Sequence, residues 1–219
     1  MPFRAIVFDF DGLICDTEGP DLQSWTEVFA EHEVELPTDW WTALIGTADG
    51  QSPHELLEQL AGSVDVASVR SRRTARFLEL SDAAPLCDGV RQWLEDARSL
   101  GLSIGLATSA PSSWINRHLP RLGIDTYFDC IRTRDDVAVA KPAPDVYLSA
   151  LYALGVEPDQ AVAVEDSPNG ARAAGAAGMK VVAVPNPLTA SLPFDCHDVM
   201  LPRLADADLA QVLTRLSTG

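Results

Sequence analysis

Unbroken apolar runs, not alternating ones, recur along the chain: AIVFD (5–9), SIGLAT (103–108), AVAVED (161–166) and KVVAV (180–184). Alternation marks a sheet with one wet face, whereas continuous runs predict strands covered on both faces. Between the runs, apolar residues recur at helical spacing. The segment 88–101 places Val90, Trp93, Leu94 and Ala97 on one stripe and ends in glycine, and 144–155 and 167–178 follow the same grammar. Strands alternating with helices predict a doubly wound, parallel α/β sheet with right-handed crossovers.

One region breaks this rhythm. From 19 to 82 no strand pattern occurs, and three helical ones do: Leu22, Trp25, Val28 and Phe29; then 52–62, capped at Ser52; then 64–80. We therefore expect an α/β core built from 1–18 and 83–219, with a helical cap at 19–82 inserted after the first strand. Trp40 and Trp41 are expected in the cap core, the alternative being a specificity pocket. Arg73 falls within the stripe of Val66, Val69, Phe77 and Leu80, where a charge must either reach a ligand or be paired.

Composition narrows the partners. The 219 residues are long enough for a substantial core, and 32 Asp plus Glu against 16 Lys plus Arg give a formal net charge of −16. So acidic a surface repels nucleic acid and anionic membranes, and neither is expected as a partner. Four dispersed cysteines form no CxxC pair, and the N-terminus has no signal-peptide pattern, so a reducing, cytoplasmic setting is expected. Only two of the basic residues are lysines, Lys141 and Lys180.

Ligands of open parallel sheets bind beyond the carboxyl ends of the strands. Those ends carry Asp9 and Asp11, then Thr108 and Ser109, then Glu165 and Asp166, with Lys141 in the loop AVAKPAPD (138–145) before a helix. Asp9 and Asp11 are two apart, so in an extended chain they share a face. Each like-charged pair at about 4 Å costs about 4 kcal/mol at an effective dielectric near 20, so the cluster calls for protons or a cation. An all-oxygen set suits Mg²⁺. A carboxylate can also attack phosphorus while a second one exchanges protons. The Thr108 hydroxyl, the Ser109 N–H and the compact Lys141 ammonium can hold a phosphoryl group.

DFDGLICDT, ATS, KPAPD and VEDSPNGARAAGAAGM, in this order, resemble the four motifs of the haloacid dehalogenase-like (HAD) hydrolases. The helical insertion resembles the subgroup of β-phosphoglucomutase and small-molecule phosphatases. The resemblance implies Asp9 as nucleophile, Asp11 as general acid/base, and Thr108 and Lys141 on the phosphoryl group. It also implies Mg²⁺ on Asp9, the Asp11 backbone carbonyl and Asp166, with Glu165 direct or through water, and a flexible turn from Gly12 to Thr17. The implied substrate is a small phosphorylated metabolite.

Departures favour a phosphomonoester phosphatase over the mutase. IGTADG (45–50) offers Asp49 where the mutase has a cap arginine, and TEGPDLQSW has Asp21 instead of a histidine. The cap lacks the lysine of phosphonatases, and haloacid dehalogenases lack the acid equivalent to Asp11. A catalytically idle binding protein on the same fold is the remaining alternative. Plainer roles are weighed too: Thr108–Ser109 capping the helix after Pro111, Glu165–Asp166 capping the one near Pro168, and Asp16 as a hinge or cap. The four histidines are expected to be structural or exposed.

Overall fold

All four apolar runs form strands in the computed structural model, which describes residues 2–44 and 51–218. They are β1 (Ala5–Phe8), β2 (Ser103–Ala107), β4 (Ala161–Glu165) and β5 (Lys180–Ala183), joined by β3 (Cys130–Arg132) and β6 (Val199–Met200). All neighbours pair in parallel in the order β3-β2-β1-β4-β5-β6. The two added strands escape sequence reading because three half-buried residues and a two-residue edge are too short to show a period.

Alternate residues face opposite layers, as strand geometry requires. Ile6 and Phe8, with Ile104, Leu106, Val162 and Val164, pack on α5 (Val90–Ser99), α6 (Ser112–Leu122) and α9 (Leu209–Thr218). Ala5, Val7, Ala161 and Ala163 pack on α7 (Asp145–Leu154) and α8 (Pro168–Ala176). The smaller residues on this second face let both helices lie close to the sheet.

A third apolar cluster stands apart from these two. It joins Trp25, Val28 and Phe29 of α1 (Glu18–Glu31), Trp41 of α2 (Thr38–Leu44), Leu56 and Leu57 of α3 (Pro53–Ala61), and Val69 of α4 (Val66–Ala83). This is the helical cap. Ser52 and Glu55 form a reciprocal capping box at the start of α3, a device worth about 1 kcal/mol. Trp41 is buried in the cluster and Trp40 packs against it, as the core reading expected. IGTADG, with Asp49, lies outside the described residues. Among the described residues, no helix is long and apolar enough to cross a membrane.

Register fixes the site. Phe8 lies level with Leu106 on one side and Val164 on the other, so the next residues, Asp9, Ala107 and Glu165, end three adjacent central strands at one height. The Asp9 N–H still donates to the Val164 carbonyl at 3.0 Å, extending the ladder by one bond.

Candidate active site

Lys141 joins those three strand ends. Its ammonium donates to Asp9 Oδ1 and Glu165 Oε1 at 2.7 Å each and to the Ala107 carbonyl at 2.9 Å. All three donor positions are thereby satisfied, and the side chain is only 6% exposed. Burial pulls the ammonium down, but Asp9 and Glu165 outweigh it, and the net shift is upward. Lys141 stays charged. The carboxylates outnumber it: burial, then Glu165 and Asp11, raise Asp9 to about 7 against the pull of Lys141. Asp166 is likewise pushed well up by burial and by Asp9 and Glu165.

One oxygen from each of Asp9, Glu165 and Asp166 lies within 4.8 Å of the others, and all three residues are buried. This hard, all-oxygen set with surplus negative charge fits a divalent cation. Glu165 is fully buried behind the other two. Tyr147 donates to its Oε1 at 2.6 Å, so Glu165 anchors Lys141 as well as completing the cluster. Asp166 is oriented by Asn186, whose amide donates to its Oδ2 at 2.7 Å. Gly12, at φ +79°, lets the chain turn beside Asp166, where a Cβ would sit 2.2 Å from Oδ2.

The Asp11 carboxylate lies outside this cluster. Its Oδ1 accepts from Thr17 Oγ1 at 2.7 Å and from Trp114 Nε1 at 2.8 Å. Burial raises its pKa, and those hydrogen bonds offset part of the rise. Asp11, Asp9, Thr108, Ser109 and Lys141 border one cavity of about 480 Å³. Thr108 Oγ1 accepts from the Ala110 N–H at 3.0 Å and donates to Asp11 Oδ2 at 3.5 Å, a long bond that an oxygen in the cavity can displace.

The plainer roles resolve residue by residue. Pro111, not Thr108 or Ser109, stands at the N-cap of α6, and Ser167, not Glu165 or Asp166, caps α8 through the Gly170 N–H. Thr17 stands at the N-cap of α1, and Asp16, one residue before it, accepts from the Gly19 N–H of the first turn at 2.9 Å. Arg73 is paired with Asp21, and its guanidinium lies over Trp25 and Phe77. That is the paired structural arginine of the two alternatives. His118 is buried and held at Nδ1 by Arg121; burial first, then Arg121, lowers its pKa to about 4.

The cap supplies Asp21 and Phe77 to the cavity wall, and Glu18 joins them from the first residue of α1, at the edge of the core. Burial, then Asp11 and Asp9, raises Glu18 to about 7. Sequence reasoning overlooked Glu18, Trp114, Tyr147 and Asn186. Asn186 was reachable, since it follows β5 at the same sheet edge, whereas nothing local marks Trp114 or Tyr147.

Gly170 tests the packing behind Lys141. A Cβ there would lie 2.0 Å from Glu165 Cδ. Gly170→Ala is expected to cost about 1–3 kcal/mol and to lower activity by shifting Glu165. Thermal melts and phosphate-release assays check this, and unchanged values in both would refute the packing account.

Buried carboxylates, one buried ammonium and hydroxyl donors at the carboxyl edge of a parallel sheet meet the needs of phosphoryl transfer. The chain is an enzyme that hydrolyses phosphate esters. Residues 6–184 match the family described as haloacid dehalogenase-like hydrolase, and the chain belongs to that family. It is 42% identical over 219 residues to "Putative phosphatase YhcW" of Bacillus subtilis (strain 168), covering 98% of each chain. It is 30% identical over 186 residues to fructose-1-phosphate phosphatase YqaB of Escherichia coli (strain K12), covering 83% of this chain and 96% of that one. A mutant of CbbY from Rhodobacter sphaeroides, solved in complex with xylulose-(1,5)bisphosphate, superposes with a TM-score of 0.77 at 28% identity, covering 95% of this chain and 98% of that one.

Proposed function

We propose that this enzyme is a Mg²⁺-dependent phosphatase that hydrolyses a small phosphomonoester through an aspartyl-phosphate on Asp9. The observation that carries the reading is the division of labour between the two aspartates. Asp9 is held by Lys141 within the carboxylate cluster, and Asp11 is held apart by Thr17 and Trp114 on the same cavity.

In the first step an Asp9 oxygen attacks phosphorus, the bond from phosphorus to the alcohol oxygen breaks, and Asp11 gives that oxygen its proton. In the second, water attacks the same phosphorus while Asp11 takes its proton. The Asp9–phosphorus bond breaks, and orthophosphate leaves. Lys141, by exchanging its bond to Asp9 Oδ1 for one to the phosphoryl group, and Thr108, with the Ser109 N–H, hold the phosphoryl oxygens. Asp9, Asp166, the Asp11 backbone carbonyl and Glu165, directly or through water, would hold Mg²⁺, which when bound supplies positive charge against the crowded anions. Residues 19–82 act as the cap domain over a core of 1–18 and 83–219.

The cavity wall favours hydrolysis over mutase chemistry. Its basic residues among those described are Lys141 and Arg134, neither from the cap, while the cap contributes Asp21 and the Phe77 ring beside Glu18. Such a wall suits a hydroxylated leaving group rather than a second phosphate. A relative named as a fructose-1-phosphate phosphatase, and a neighbour solved with a bound sugar bisphosphate, support phosphorylated sugars as the substrate class.

Phosphate release from a panel of phosphomonoesters, with Mg²⁺ and with EDTA, tests the proposal. Release is expected with Mg²⁺, lost in EDTA and restored by re-addition. Isomer interconversion without release would make the enzyme a mutase. Mg²⁺ with beryllium fluoride at a hundred times its Kd should add about 2.7 kcal/mol, or about 5–10 °C in Tm for a chain of this size. No shift and no turnover would favour an idle binding protein.

A further inference from the structure

Trp114 belongs to α6 of the core, yet it touches both Asp11 and the cap. Its indole N–H donates to Asp11 Oδ1 at 2.8 Å. Its ring lies parallel to Phe77 of α4, with centroids 5.1 Å apart and an interplanar angle of 10°. The His118 ring is inclined to it by 62°, with centroids 4.0 Å apart, and Arg121 holds the His118 ring through Nδ1. Behind Phe77, the Arg73 guanidinium lies 4.6 Å from the ring centroid and is paired with Asp21 on the cavity wall. A chain of contacts thus runs from Asp21 through Arg73, Phe77 and Trp114 to Asp11.

We propose that Trp114 is a positioning residue that makes the orientation of Asp11 depend on the seating of the cap. The inference rests on the acid/base role proposed above for Asp11. With Trp114 and Thr17 both donating to Oδ1, that oxygen is saturated, and proton exchange with the leaving group falls to Oδ2. Oδ2 lies 3.5 Å from Thr108 Oγ1 at the phosphoryl end of the cavity. Without Trp114 the carboxylate would be freer to swing, held only by Thr17 on Oδ1 and by the long 3.5 Å bond from Thr108 on Oδ2, which a phosphoryl oxygen competes for. Trp114 removes that freedom only while its ring is gripped between His118 below and Phe77 above. Seating the cap therefore both closes the cavity and aims the acid.

The test compares phenyl phosphate with para-nitrophenyl phosphate, esters of similar shape whose leaving groups differ in their need for a proton. The readout is kcat/KM, which reports transfer to Asp9. Trp114→Phe keeps the ring and deletes the N–H. It should lose about tenfold on phenyl phosphate and no more than about twofold on para-nitrophenyl phosphate. Phe77→Ala should show the same selectivity, and Phe77→Tyr, which keeps the stack, should restore it. The double variant Trp114→Phe/Phe77→Ala should lose less than the product of the two single losses, as residues acting on one element do.

Asp11→Asn, run alongside, separates the possible failures. Selective loss in Asp11→Asn with equal losses on both esters in Trp114→Phe would make Trp114 merely structural and overturn the proposal. Equal losses in Asp11→Asn would overturn the acid role of Asp11, and the positioning proposal with it. Selectivity in Trp114→Phe but not in Phe77→Ala would overturn the link to the cap. Phe77 lies on the cap, so its variants answer the question even if Trp114→Phe fails to fold.

Discussion

Asp9→Asn is expected to abolish phosphate release, with a loss of at least about 10³-fold, equivalent to about 4 kcal/mol of barrier. The amide oxygen is a far weaker nucleophile than the carboxylate it replaces. The substitution also removes one of the three carboxylates in the cation cluster. The fold should survive, because Lys141 keeps Glu165 and the Ala107 carbonyl, and the amide oxygen can still accept its hydrogen bond. Activity and folding should therefore separate cleanly. Acid quenching during turnover should leave one phosphoryl group on the Asp9 peptide of the unaltered enzyme and none on the variant. A phosphoryl group found on another residue, or a variant retaining a tenth of the activity, would remove Asp9 as nucleophile.

Lys141→Met should damage both activity and stability. Methionine fills a similar volume but leaves Asp9 and Glu165 side by side in a buried site with no countercharge. Breaking a buried pair by removing one partner costs about 3–5 kcal/mol, or about 6–20 °C in Tm at this chain length. The pH dependence follows from Asp9. Its folded-state value of about 7 already exceeds the ordinary 3.8, with Lys141 among the groups holding it down. Without the lysine it rises further. A carboxyl raised in the folded state favours folding below its unfolded value, and that contribution is lost as pH rises through the folded one. The stability deficit of Lys141→Met should thus be flat from about pH 4 to about pH 7, where Asp9 is mainly protonated in both folded forms, and grow as pH rises above 7. Mg²⁺ should recover part of it. Melts across that range check the prediction, and a deficit independent of pH would mean that the lost packing, not the lost charge, is responsible.

Much of this enzyme is legible from its residues alone. The strand runs, the helical insertion and the strand-terminal acids all lie in short windows, where local periodicity reports burial and face directly. Asp9 and Asp11 declare themselves by their spacing, and Lys141 stands out in a chain that otherwise chooses arginine almost everywhere. Four ordered motifs then suffice for the family. The short strands β3 and β6 lie below the length at which a period can be seen.

The partners of the site residues are another matter. Trp114 meets Asp11 across 103 positions and Lys141 meets Asp9 across 132. Tyr147 meets Glu165 from the helix packed behind the sheet, and Arg73 meets Asp21 only because α4 lies against α1. A hydrophobic pattern says that a side chain is buried, but not what lies opposite it. Sequence by itself determined the fold class, the acids at the strand ends and the singular lysine, because each is written in local order. Only the tertiary structure decided what holds each aspartate, Lys141 on Asp9 and Thr17 with Trp114 on Asp11, because Lys141 and Trp114 come in from distant segments.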